Sequence, residues 1–172
     1  MTITLNRLFV PAPPNGERFT RATLNAMRKL IDYSAKQESV KMLAQEVASQ
    51  GENQYDEIVA LYHFMRTNIA YVHDPAVDEW LQSGDITLYN HSGDCDDMSI
   101  LIAAVARLLG IPARLVAVGR DRYEHVYVEV FVAVPDQKCL ECGTVGRWIG
   151  VDPVPTAQNS WFALNRRMSV PA

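Results

Sequence analysis

The stretch Ile100 to Leu109, reading ILIAAVARLL, most constrains how this chain can fold. Together with Met98, its Leu101, Ile102, Val105, Leu108 and Leu109 cover more than one face of a helix, so the helix must be buried nearly all round. Other elements therefore have to wrap around it. The preceding Ser92-Gly-Asp-Cys-Asp-Asp-Met-Ser supplies the start signal and places a thiol in the opening turn. Asp94, Asp96 and Asp97 read first as capping and dipole-compensating residues. Gly110 ends the helix and Pro112 prevents its resumption.

Around this core the chain orders itself simply. Residues 1–18, with three prolines before Gly16, read as a short strand or arm followed by an irregular lead. Residues 19–51 carry a leading helical segment, with Leu24, Met27, Leu30 and Ile31 at helical spacing. The pattern resumes through Val40, Leu43 and Val47 and stops at Gln50-Gly51. A further helix spans Asn53 to Asn68, and Pro75 disfavours helix at the residue before it. Asp78 to His91 is mixed, with a short helix expected around Trp80 and then a loop. From Arg114 the period shifts toward two, giving strands at Arg114–Gly119, His125–Val134 and Arg147–Asp152. In the second, Val126, Val128, Val130 and Val132 face one way, and His125, Tyr127, Glu129 and Phe131 the other. Pro135 to Gly146 is a loop joining the last two strands as an antiparallel pair. The tail, 156–172, shows no period. Helices first and strands later indicate a single α+β domain over 1–172.

The length suits one domain with a real core. A net charge of −4, without any Lys/Arg cluster, argues against nucleic acid and against an anionic membrane surface as partners. The amino terminus lacks the marks of a secretory signal, no stretch is apolar enough to span a bilayer, and the three cysteines are too few and odd in number for a disulfide framework. A cytoplasmic, reducing setting is the expectation.

Cys95 at a helix start, His125 at a strand start and Asp152 at a strand end follow in the chain order of a nucleophile, a general base and an orienting carboxylate. Singly, each has a bland reading: a packed thiol, a structural histidine, a turn aspartate before proline. Their joint order outweighs these. The helix N-terminus and an imidazolium would lower the thiol pKa, and the neighbouring aspartates would oppose that. The backbone N–H of Cys95 is an oxyanion donor, with Tyr89, Asn90 and Trp80 as candidates for a second. Cys139 and Cys142 have the spacing of half a zinc knuckle, but no second pair of ligands accompanies them. They are weak metal candidates beside a reversible disulfide or two hairpin-tightening loop cysteines, and no cofactor is expected. Tyr71 and His73 could rim a cleft, though nothing in the sequence compels it.

The helix ending in RTNIAYVHDP, the block GDCDDMSILIAAVARLLGIPAR, the strand HVYVEVF and the strand WIGVDPV together resemble the transglutaminase-like superfamily, over about Tyr55 to Pro155. The leading helical segment is similar to that of compact bacterial and phage-encoded members. The resemblance implies a papain-related α+β fold, with a buried nucleophile helix packed on an antiparallel sheet, and a Cys95–His125–Asp152 triad within a catalytic core at 55–155. It implies a protein or peptide substrate attacked through a thioester, with water or an amine as acceptor. The alternative is a catalytically idle peptide-binding or assembly module, as in phage morphogenesis. Two departures stand out: Tyr127 replaces a tryptophan common two residues after the histidine, and a long cysteine-bearing loop separates the last two strands.

Overall fold

A computed structural model describes residues 7–10, 16–73, 79–120, 123–133, 146–154 and 166–172. In chain order its elements are β1 (Arg7–Val10), α1 (Glu17–Ser34), α2 (Glu38–Gln50), α3 (Gln54–Asn68), β2 (Ala70–Tyr71), β3 (Glu79–Gln82) and α4 (Gly84–Asn90). There follow β4 (Ser92–Gly93), α5 (Cys95–Leu108), β5 (Ala113–Gly119), β6 (Tyr123–Val132), β7 (Arg147–Val151) and β8 (Arg166–Pro171).

The apolar helix α5 is the centre of the molecule. Every residue from Asp96 to Ala106 is buried, and exposure returns only at Arg107 and Leu108. Arg107 turns outward to pair with Asp32 on α1. The helix ends as its sequence predicts. Gly110 takes a left-handed φ of 71°, and the Ile111 N–H reaches back to the Ala106 carbonyl at 2.9 Å. That is the Schellman arrangement, in which a glycine avoids the Cβ penalty of positive φ.

One side of α5 packs on an antiparallel sheet ordered β7-β6-β5-β8. The four even-numbered valines of β6 are buried toward it, as the alternation predicts. Helices α1, α2 and α4 cover its other sides. The apolar stripe of α1, Leu24, Met27, Leu30 and Ile31, is almost wholly withdrawn from water. Burial at this level stabilises by about 1.5–3 kcal/mol per large side chain.

Three expectations need correction. The helix expected around Trp80 is strand β3, because the amino-terminal arm supplies β1 as its antiparallel partner, with Phe9 opposite Trp80. The nearby helix, α4, begins two residues after β3 ends. The tail holds strand β8, which pairs with β5 from Arg166–Gly119 to Pro171–Arg114. Only Met168 and Val170 mark its buried face, too few to announce a period. Finally, the leading helical segment is two helices, divided by a turn at residues 35–37.

The start of α4 is secured from another helix. Ser83 at its N-cap makes no side-chain cap bond. The fully buried Ser34 at the end of α1 accepts the Gly84 N–H at 2.7 Å while its own hydroxyl donates to the Leu30 carbonyl at 2.6 Å. Ser34→Ala leaves a buried donor without its acceptor and is expected to cost about 1–3 kcal/mol. Urea unfolding checks this: an unchanged midpoint would show that the bridge contributes nothing.

Candidate active site

The first turn of α5 is organised by carboxylates. Asp94 is the N-cap, and its side chain accepts the N–H groups of Asp96 and Asp97 at 3.0 and 3.2 Å. The Asp97 carboxylate reaches back to the Asp94 N–H at 3.4 Å, completing a capping box. Asp97 does more than cap. Its two oxygens accept the backbone N–H of Gln82 at 2.7 Å and its side-chain amide at 2.6 Å, strapping the end of β3 to the helix. Gly93 is required beside it, since a Cβ there would lie 2.7 Å from the Asp97 Cβ. The sequence reading of these aspartates as capping residues holds for Asp94 and Asp97, and the strap on Gln82 is what it missed.

Strand β4 leads into this turn alongside β2. The two run parallel, with Tyr71 opposite Gly93, and the Val72 N–H donates to the Gly93 carbonyl at 3.0 Å. Tyr71 is thereby brought to the site. Burial, and then the negative charge of Asp94, Asp96 and Asp152, hold its phenol well above the ordinary tyrosine range. Its hydroxyl lies 3.4 Å from Nδ1 of His73, and the two rings meet edge to face. The tyrosine in IAYVHDP is the functional candidate that sequence reasoning left undecided, because only the β2–β4 pairing brings it near the thiol.

Cys95 occupies the first helical position and is partly buried. The backbone N–H of Val126 points at its sulfur, and Ser99, one turn further along α5, donates to the Val126 carbonyl at 3.4 Å. Residues i and i+4 of a helix share a face, so α5 grips one residue of β6 with both. The ladder between β6 and β7 ends at the Val128–Val151 pair. The gripped residue is the one after His125.

His125 and Asp152 are in contact: Nε2 lies 3.0 Å from the Asp152 Oδ2, with the two side chains 10% and 19% exposed. The other Asp152 oxygen accepts the Val154 N–H at 3.2 Å. Arg66 of α3 donates to the Pro153 carbonyl at 3.1 Å, pinning the same turn to the helical half of the molecule.

The charge around Cys95 runs against the simplest expectation. Burial pushes the thiol pKa well up, and Asp96 and Asp94 add to the shift, while the Val126 N–H acts in the opposite direction. The thiol hydrogen is directed toward the Asp96 Oδ1, 3.5 Å away. At rest Cys95 is therefore a neutral thiol.

The three oxyanion candidates beyond Cys95 lie on the wall before β4. Tyr89 on α4 is 83% exposed, Trp80 on β3 is exposed, and the Asn90 amide donates to the Gln82 Oε1 at 2.9 Å. Cys139 and Cys142 fall outside the described residues. Among the described residues, no group of three or more His, Cys, Asp or Glu side chains is placed to hold a metal ion, and no helix is long and apolar enough to cross a membrane.

Comparison with known proteins agrees with the fold. The structure is similar to that of a candidate protease from Parabacteroides distasonis, with a TM-score of 0.55 at 17% identity, covering 83% of this chain and 32% of that one. A candidate cysteine protease from Cytophaga hutchinsonii gives 0.55 at 18% identity, covering 81% and 48%. The chain thus spans half or less of the length of these two proteins, and at such identities the likeness is one of fold. A comparison with curated proteins gives no significant match. The family model of the transglutaminase-like superfamily matches residues 41–153, starting further upstream than the motifs themselves and taking in nearly all of α2. With the family model matched over more than half of its length, this chain belongs to the transglutaminase-like superfamily.

Proposed function

We propose that this domain is a thiol-dependent hydrolase or acyltransferase acting on amide bonds of a protein or peptide, with Cys95 as nucleophile, His125 as base and Asp152 as orienting acid. The contact between His125 Nε2 and Asp152 Oδ2 at 3.0 Å carries the reading. A carboxylate bonded there fixes the tautomer, so that Nε2 keeps its hydrogen and Nδ1 is the basic nitrogen. The Cys95 sulfur beside the Val126 N–H supports the same grouping from the helix side.

In this mechanism the resting nucleophile is a protonated thiol. Nδ1 takes the Sγ proton as sulfur adds to the carbonyl carbon. The C–N bond then breaks, the amine leaves with the proton from His125, and a Cys95 thioester remains. Water or a second amine attacks the thioester and restores the thiol. The backbone N–H of Cys95, in the first turn of α5, supports the oxyanion. Trp80 is the better second donor, because it shares β3 with Gln82, which is tied to the helix start, whereas the Asn90 amide is already engaged.

One observation favours a second reading, a module that binds peptide without cleaving it: burial, Asp96 and Asp94 all hold the thiol protonated. Acyl trapping separates the two. Incubated with activated peptide esters, the native protein is expected to gain a hydroxylamine-sensitive acyl mass on Cys95, absent from Cys95→Ala and formed about a hundredfold more slowly by His125→Ala. No acyl mass from any ester would favour the binding module.

The electrostatics yield a signed prediction. A nearby negative charge raises a thiol pKa, so Asp96→Asn removes part of the upward shift. The pH profile of Cys95 alkylation should move to lower pH and the rate at neutral pH should rise. Mass-mapped iodoacetamide kinetics check this, and an unmoved profile would contradict it.

A further inference from the structure

We propose that Tyr127 is a positioning residue for His125, held for that task by Glu129 between Arg114 and Arg167. The inference rests on the reading of His125 as the base and adds a device that the triad does not contain.

His125, Tyr127 and Glu129 alternate along β6 and so share the face away from α5. That face lies outside the main core, and its order has to come from its own contacts. The Asp152 bond holds the His125 ring at Nε2. A hydrogen bond at a ring nitrogen fixes a distance, and a contact on the ring face fixes the plane. The Tyr127 ring supplies such a face contact. It lies alongside the imidazole with the planes 16° apart and the centroids separated by 6.3 Å, within the range of an offset stack. An edge contact and a face contact together define the plane of the base.

Tyr127 is itself tied down. Its hydroxyl donates to the Glu129 Oε1 at 3.0 Å. The other Glu129 oxygen accepts from Arg114 Nε and from Arg167 Nη2, each at 2.8 Å. Arg114 stands directly across the strands from Glu129, and Arg167 arrives from β8. The Arg114 guanidinium also lies over the Trp148 ring of β7, 4.1 Å from its centroid. The brace therefore draws a side chain from every strand of the sheet. Burial acts to raise the Glu129 pKa, but the hydrogen bonds from Arg167 and Arg114 win, and the carboxyl is held below its usual range. Burial and the Glu129 charge push the Tyr127 phenol up, so it remains a donor throughout the neutral range.

The test is the rate at which iodoacetamide labels Cys95, mapped by mass spectrometry, in Tyr127→Ala, Tyr127→Phe and Glu129→Gln, each with and without His125→Ala. In the native background Tyr127→Ala is expected to slow labelling about tenfold, Glu129→Gln to slow it less, and Tyr127→Phe, which keeps the ring, least. In the His125→Ala background none of the three should slow it further, because they act through the imidazole. Equal slowing in both backgrounds, or none in either, overturns the proposal. If Tyr127→Ala does not fold, Glu129→Gln carries the same comparison. Labelling of the native protein that ignores His125→Ala would instead remove the base reading itself, and this inference with it.

Discussion

The capping box at Asp94 and Asp97 is the constraint on which the candidate site depends. A buried helix must satisfy its first N–H groups inside the protein, and here the Asp94 carboxylate takes those of Asp96 and Asp97 while Asp97 takes that of Asp94. Because Asp97 also holds both amides of Gln82, the cap of α5 becomes the anchor of β3. Because Gly93 leaves no room beyond a hydrogen there, β4 is pressed against the same turn. Both β3 and β4 meet α5 at Asp97, two residues after Cys95, and the thiol inherits a fixed position from that turn.

That same cap creates an electrostatic tension. The helix end offers partial positive charge to a thiolate, but the aspartates that secure it are negative, and burial acts in the same direction as they do. Burial and Asp96 prevail, and sulfur rests protonated. A protonated thiol shifts the burden of activation onto the proposed base, which must be oriented when substrate arrives. The Asp152 bond, the Asx turn to Val154 and the Arg66 clasp on Pro153 all serve the geometry of His125. So does the Tyr127–Glu129 brace on the outer face. In the proposed mechanism a well-held base serves a protonated thiol.

Much of this was legible in the sequence, and the reasons differ by element. Helix α5 could be read because nearly every residue is apolar and its stop signal, Gly110 followed by Pro112, is local. Strand β6 could be read because its valines alternate over seven residues. Residues Cys95, His125 and Asp152 were singled out by type and order, and the structure puts His125 and Asp152 in contact. Strand β8 and the strand at Trp80 were not legible, since each exists through pairing with a remote partner, β5 and β1. Tyr71 was hidden for the same reason: its neighbour Gly93 lies twenty-two residues away in sequence. The protonated state of Cys95 depended on weighing burial against dipole, and only packing gives burial a magnitude.

The central claim is that His125 activates Cys95, and site-mapped iodoacetamide labelling of Cys95 from acid to alkaline pH, in the native protein and in His125→Ala, tests it most directly. The account predicts that native labelling at neutral pH exceeds that of His125→Ala by about tenfold or more, with the difference closing at alkaline pH where the thiol ionises unaided. Superimposable profiles for the two proteins would contradict it.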